Sequence, residues 1–496
     1  MRKLSELRKQ YPVFSYKKYS WKVSKGNLNI SFSFKIEPAT ADLEARPFDN
    51  AQGKPFDSAQ VRPFDNAQGK PDISFKPKVV IENINKTRLK TMGESRLNNL
   101  VFHLGLVEIP SYWKATCSKE IMIEAGGLDK EQVKWWKDLI LNGMGQFFFE
   151  NKINFKGVNF LKISSLGPGG ENGQKATIAA NKVLVPLGGG KDSIVTLEIL
   201  KNAGKKITCF SLNPTENAQQ VMKVAGCQKT IIVRRTVDQK LLEMNRQGFL
   251  NGHTPFSSYL AFLSVLSAAI FDFKYIVLSN EKSSNEGNVK YLGKEINHQW
   301  SKSFDFEQKF RDYAKKYLAD VEYFSFLRPL YELQITKIFL RFPKYFSSFL
   351  SCNEAFKTAS GAKIPSRKWC GNCSKCLFVF ACLYPFLEKE AMLKIFSQNL
   401  FIKQELLPVM LELTGFKDYK PFECVGTKKE SLIAFYLSWQ KAKKAGESPF
   451  LLKYFENKIL KKHPDLEGES KKLLESWDTQ NNLPKEFEKI LKAKIF

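Results

Sequence analysis

Leu184-Val185-Pro186-Leu187-Gly188-Gly189-Gly190-Lys191-Asp192-Ser193 is the stretch whose reading decides the fold of this chain. Its apolar start reads as a buried strand, the three glycines break it, and Ile194 to Leu200 reads as a helix. Glycine has no Cβ, so backbone N–H groups there can close on an anion, and the helix N-terminus adds partial positive charge. A phosphate is the natural occupant. The Walker A pattern Gly-x4-Gly-Lys-Ser/Thr does not fit, because Asp192 separates Lys191 from Ser193. A carboxylate beside a phosphate cradle calls for Mg²⁺ between them, which makes Asp192 the candidate Mg²⁺ ligand. An ordinary tight strand-to-helix turn could carry the same glycines, so the decision falls to what surrounds the loop.

Outward from the loop, strand–loop–helix units repeat. Ile207 to Leu212, Thr230 to Val233 and Tyr275 to Leu278 are the next strand candidates. Such alternation implies an α/β fold with a doubly wound parallel sheet, whose ligands sit at the carboxyl ends of the strands. The loop itself resembles the S-G-G-x-D-S pyrophosphatase loop of the PP-loop ATP enzymes, with Gly188 where that pattern has Ser and with Gly189, Gly190, Asp192 and Ser193 matching. The resemblance implies that Gly188, Gly189, Gly190, Lys191, Asp192 and Ser193 bind ATP. It further implies cleavage between the α and β phosphates, with AMP placed on a substrate oxygen.

Composition bounds the rest. A chain of 496 residues has room for two or three domains, and its 43% hydrophobic and 26% charged content is that of a soluble globular protein. No secretory leader is evident at the start, and Tyr259 to Leu278 is interrupted by Ser264, Ser267, Asp272 and Lys274. That run reads as a buried helix followed by a core strand, not a membrane span, and the expected location is the cytoplasm. The net charge of +27 admits RNA, but the lysines are spread throughout and no RRM, KH or zinc-knuckle signature accompanies them. Nucleic acid is therefore not the expected partner.

Three regions follow. Residues 1–175 read as an N-terminal α+β domain, 176–385 as the ATP-binding domain with a cysteine cluster, and 386–496 as a helical C-terminal region. Tyr19 to Glu37 alternates around Lys25-Gly26-Asn27 as a β-hairpin, and Ile73 to Ile84 resumes the strand pattern. Between them, residues 46–72 hold an octapeptide repeat in which Pro47, Pro55, Pro63 and Pro71 recur without a face to bury, so disorder is expected. Glu131 to Phe149 has helical spacing, and its Trp135, Trp136, Leu139 and Met144 read as core.

Of nine cysteines, Cys370, Cys373 and Cys376 form C-x2-C-x2-C with Cys352 upstream. Four thiolates so spaced suit a structural Zn²⁺, with an iron–sulfur cluster or free thiols as competitors. Asn251-Gly252-His253-Thr254-Pro255 opens a helix, with Thr254 as its expected N-cap and Pro255 at the first helical position. The polar loop Ser279 to Asn288, containing Glu281 and Glu286, follows the strand ending at Leu278, where such folds place chemistry. His298, in Asn297 to Ser303, lies close behind it. Arg328 could meet phosphate or form a simple ion pair, and Pro421 to Gly426, with Cys424, reads as a turn packed by Phe422.

Together the G-G-G-K-D-S, N-G-H-T-P, S-N-E-K-S-S-N-E-G-N, N-H-Q-W-S-K-S, W-C-G-N-C-S-K-C and P-F-E-C-V-G segments resemble the UDP-N-acetylmuramoyl-L-alanyl-L-glutamate epimerase (MurL) family, across most of the chain except the repeat insert and the far C-terminus. That resemblance implies ATP-dependent inversion of the terminal L-Glu of UDP-MurNAc-L-Ala-L-Glu for peptidoglycan synthesis, with release of AMP and pyrophosphate. His253, His298 and Cys424 become candidate proton donors and acceptors, Glu281 or Glu286 helpers to Asp192 at the Mg²⁺ site with Glu281 also a catalytic candidate, and Lys191 and Arg328 phosphate neutralisers. A PP-loop enzyme that modifies tRNA is the alternative.

Overall fold

A computed structural model describes residues 2–39, 72–167, 175–178, 181–356, 368–417 and 419–495. Residues 46–71 of the repeat insert, and 168–173 of the glycine-rich break, lie outside the described residues. The strands are β1 (Val13–Ser24), β2 (Asn27–Glu37), β3 (Ile73–Phe75), β4 (Lys78–Ile81), β5 (Glu120–Ile123), β6 (Lys162–Ser165), β7 (Val183–Pro186), β8 (Ile207–Leu212), β9 (Thr230–Thr236), β10 (Tyr275–Leu278), β11 (Val289–Tyr291), β12 (Lys294–Ile296) and β13 (Glu322–Ser325). Among the described residues, eleven of these join one sheet in the order β13-β10-β7-β8-β9-β4-β2-β1-β5-β6, with β3 beside β2.

One half of this sheet is the expected parallel one. β13, β10, β7, β8 and β9 run parallel to their neighbours, with β8 and β9 on one side of β7 and β10 and β13 on the other. The winding therefore reverses between β7 and β10, the kind of switch point at whose carboxyl ends such folds bind ligands. All four residues of β7 are buried, which suits a strand covered on both faces. The other half corrects a purely parallel reading. β4 pairs antiparallel with β9 through Lys78↔Thr236 to Ile81↔Val233, and carries the β1–β2 hairpin, which turns at Lys25 and Gly26, on its far edge. The N-terminal strands thus extend the loop-bearing sheet.

Two helices replace the single one expected over Glu131 to Phe149: Lys130–Gly143 and Gly145–Glu150. The break is a packing requirement. A Cβ on Gly143 would lie 2.7 Å from Pro255 Cβ, and one on Gly145 would lie 3.2 Å from Ile296, so only glycines let this segment close on both. The helix after Asn251 also starts later than expected, spanning Phe256–Phe271 with Pro255 as its N-cap; Thr254 O accepts from Phe256 N at 2.7 Å, so Thr254 stays outside the helix. Its buried face and β10 form the helix and core strand expected over Tyr259 to Leu278. Beyond Cys373 the chain is helical, and Phe487 of the last helix returns to the sheet, 4.9 Å from the rings of Tyr275 and Phe324. Among the described residues, no helix is long and apolar enough to cross a membrane.

Candidate active site

The glycine turn leaves β7 at the switch point and enters the helix Lys191–Asn202 with Gly190 as N-cap. The helix begins three residues earlier than the sequence suggests, because Ile194 N donates to Gly190 O at 3.3 Å. Gly190 offers no capping side chain, so the first-turn N–H groups receive no side-chain cap from it. Gly189 has φ +89° and a Cβ there would lie 3.0 Å from Ala218 Cα, whereas a Cβ on Gly188 would meet nothing within 4 Å. Leu350 N donates to Gly189 O at 3.1 Å and ties the turn to the segment that leads into Cys352. Ser193 Oγ donates to Gly190 O at 2.9 Å.

Lys191 does not reach outward. It is buried, and its ammonium bonds to Asp192 and to Glu332, the first residue of the helix Glu332–Phe339. Lys375, from the helix Ser374–Leu383, donates to the other Glu332 oxygen at 3.2 Å. Burial raises the Glu332 carboxyl, but Lys191 and Lys375 outweigh it and hold the group at about 2. Glu281, in the loop after β10, makes no such ion pair among the described residues, and Lys302 and Lys375 act on it only through space. Burial, then the charges of Glu332 and Asp192, lift it to about 7. Asp192 is also raised, by burial and then Glu332, although a quarter of its side chain remains open to solvent and tempers the effect. Glu286 pairs instead with Lys420 at 3.4 Å and accepts from Lys428 N.

Arg328 is fully buried beneath this loop. Its Nη1 donates to Glu281 O at 2.7 Å and Ser284 Oγ at 2.8 Å, while Nη2 donates to Lys302 O at 2.5 Å and to Glu307 at 3.0 Å. The guanidinium therefore fastens the Glu281 loop to the Lys302 segment.

Four separate sequence motifs converge beside it. The rings of His253 and His298 lie 4.5 Å apart. His298 Nδ1 is 2.5 Å from Gln146 Oε1, and its Nε2 is 4.0 Å from Cys424 Sγ. Lys302 Nζ donates to the same sulfur at 3.1 Å. Asn288 holds the assembly, accepting from His298 N at 2.7 Å and donating to Pro421 O at 2.6 Å. Burial, then Lys302 and Lys420, push His298 down to about 3; burial, then His298 and the nearby lysines Lys114 and Lys302, push His253 well below its usual value. Both imidazoles are neutral at pH 7. Burial disfavours the Lys302 cation, yet Cys424, Glu281 and Asp192 more than offset it and raise the group. Lys302 thus joins the carboxylates at the glycine turn to the thiol–imidazole group. The other two histidines stand apart: His103 is bonded to Asn99 O and Tyr313 OH in the core, and His463 packs on Phe416.

Cys352, Cys370, Cys373 and Cys376 bring their sulfurs within 4.8 Å of one another, at 3.5 to 3.8 Å for the closest pairs. Tetrahedral Zn–S bonds of about 2.3 Å have sulfurs about 3.8 Å apart, so the four thiolates fit such an ion. Outside this cluster, Cys209 and Cys227 are disulfide-bonded.

The residues that sequence reasoning missed are Glu332, Lys375, Lys302 and Gln146. Lys375 and Lys302 stood inside quoted motifs; Glu332 and Gln146 carried no local signal.

Fold and site define an α/β protein with a glycine turn opening a helix at a sheet switch point, a cluster of four cysteines and a buried group of two histidines, a cysteine and a lysine. The family model for the MurL N-terminal domain matches residues 50–326, and that for the MurL C-terminal domain matches residues 348–467. The UDP-N-acetyl-alpha-D-muramoyl-L-alanyl-L-glutamate epimerase of Xanthomonas oryzae pv. oryzae is 34% identical over 332 residues, covering 67% of this chain and 72% of that protein. Proteins of the same name from Micromonospora sp. and Salinispora tropica are 34% and 33% identical, each over 66% of this chain and over 72% and 70% of their own lengths. The chain belongs to the MurL family.

Proposed function

We propose that this chain epimerises the terminal L-Glu of UDP-MurNAc-L-Ala-L-Glu to D-Glu, activating its α-carboxylate with ATP and releasing pyrophosphate and AMP, in service of peptidoglycan synthesis. One observation supports this most: contacts run from the glycine turn through Lys191 and Glu332 to the Ser283 loop, which Arg328 fastens to the Lys302 segment, and Lys302 Nζ reaches the thiol of Cys424 beside His298. The chemistry explains why both halves are needed. The α-proton of a C-terminal glutamate is weakly acidic, because its loss puts a second negative charge beside a carboxylate. Adenylation removes the first charge, and the electron pair of the broken Cα–H bond then delocalises into the activated carbonyl. Reprotonation on the opposite face inverts the centre, and water releases AMP.

In this reading Gly188, Gly189, Gly190 and Ser193 cradle the phosphates, and Asp192 holds Mg²⁺, which supplies charge neutralisation when bound. Lys191 and Lys375 keep Glu332 ionised beside them. Arg328 acts by positioning the Glu281 and Lys302 segments, since both of its Nη nitrogens are engaged there. Cys424 with His298 and His253 serves one face of the α-carbon and Glu281 the other. The four clustered cysteines hold a structural Zn²⁺.

The test is product analysis with UDP-MurNAc-L-Ala-L-Glu and ATP. Pyrophosphate, AMP and D-Glu are expected in parallel. ADP and orthophosphate would overturn the adenylation step, and pyrophosphate release that depends on tRNA would replace the substrate.

A further inference from the structure

Gln146 lies on the helix Gly145–Glu150, just past the glycine break that brings this segment against Pro255 and Ile296. Its amide has a defined orientation. Nε2 donates to Glu150 Oε1 at 2.7 Å, and a carboxylate can only accept, so the NH₂ end must face Glu150 and the carbonyl must face the other way. The carbonyl meets His298 Nδ1 at 2.5 Å, and two acceptors cannot share that distance. Nδ1 therefore carries the proton. Burial and the flanking Lys302 and Lys420 keep the ring neutral, so Nε2 presents a lone pair, 4.0 Å from Cys424 Sγ. On the sulfur, Lys302 supplies the positive charge at 3.1 Å.

We propose that Gln146 is a positioning residue that locks this tautomer, so that Cys424, with Lys302 as counter-cation, takes the substrate α-proton and holds it against His298 Nε2. The inference rests on the epimerase reading above. In the step, the Cα–H bond breaks, the proton bonds to Cys424 Sγ, and the electron pair passes into the activated carbonyl. The new S–H then donates to the Nε2 lone pair. The opposite tautomer would place an N–H at Nε2, where it would donate to the sulfur and occupy the position the incoming proton must take. Lys302 stabilises the sulfur before transfer, and His298 stabilises it afterwards.

The tautomer is directly measurable. Full-length protein labelled with ¹⁵N-histidine carries four imidazoles, and long-range ¹H–¹⁵N correlations assign each ring, with His298→Asn identifying the relevant one. Wild-type protein should show Nδ1–H at His298. Gln146→Met should release it toward Nε2–H and lower kcat by roughly 10²-fold, with KM nearly constant, whereas Gln146→Glu, which keeps an acceptor, should restore both tautomer and most of kcat. An Nε2–H tautomer in the wild type, or a Gln146→Met protein with unchanged tautomer and kcat, overturns the proposal. Should Gln146→Met fail to fold, the wild-type spectrum still decides. That spectrum needs no substrate, so the proposal and the epimerase reading fail separately: the expected tautomer without pyrophosphate or D-Glu production would sink only the latter.

Discussion

Neighbouring glycines in the same turn have different tolerances. Gly189 adopts φ +89° against Ala218 Cα, so an added methyl is both strained and obstructed; Gly188 faces open space. Gly189→Ala should therefore cost about 1–3 kcal/mol of stability, with Gly188→Ala within about 0.5 kcal/mol of wild type, as read by urea denaturation. Equal effects at the two positions would contradict this geometry. Glu281 makes a pH-dependent prediction. Its carboxyl ordinarily titrates near 4.5 and is raised to about 7 by burial and the neighbouring carboxylates. The folded protein thus keeps a proton there that the unfolded chain has lost, and stability should fall as pH rises from about 4.5 to 7. At about 1.36 kcal/mol per pH unit the loss attributable to Glu281 reaches roughly 3 kcal/mol at most. Glu281→Gln should flatten the stability–pH curve across that window and be more stable than wild type at pH 8. A parallel pair of curves would refute the assignment.

At the level of elements, an ion pair fastens the helix Glu94–Trp113 to β9. Arg235 Nη2 bonds to Glu108 Oε1 at 2.5 Å and to Ser111 Oγ at 2.9 Å, and Glu108 has no exposed side-chain surface. Arg235→Met would strand a buried carboxylate and should cost about 3–5 kcal/mol, whereas adding Glu108→Leu should recover most of it; denaturant midpoints of the single and double variants check this. The pairing was not legible in the sequence, because its partners are 127 residues apart and each looks like a surface charge. The same reason hid Glu332 and Gln146. Strand–turn–helix succession at Leu184 to Leu200 was legible because every signal is local, and even there the expected helix start, placed at Ile194 after the glycine break, fell three residues late. Thr254-Pro255 misled in the opposite direction: the pair suits a helix start, but packing of Pro255 against Gly143 sets the helix back to Phe256. Antiparallel attachment of β4 to β9 had no local signature at all.

Across the whole molecule, the tetrathiolate cluster and the glycine turn are mechanically continuous. Leu350 N holds Gly189 O, Cys352 follows two residues later, Cys373 caps the helix Ser374–Leu383, and Lys375 of that helix grips Glu332, which in turn holds Lys191. A metal ion in the cluster would therefore steady the glycine turn and Glu332, the two sides of the proposed phosphate site. Structural zinc contributes roughly 10 kcal/mol or more in small domains, enough to lower the Tm by more than about 10 °C when lost. Stripping the metal with a chelator, or Cys376→Ser, should lower the Tm accordingly and weaken ATP binding measured by calorimetry, and readdition of Zn²⁺ should restore both in the stripped wild type. Were the Tm to fall while ATP affinity stayed constant, the cluster would stabilise the helical region alone, and the chain of contacts from Cys352 to Gly189 would transmit nothing to the site.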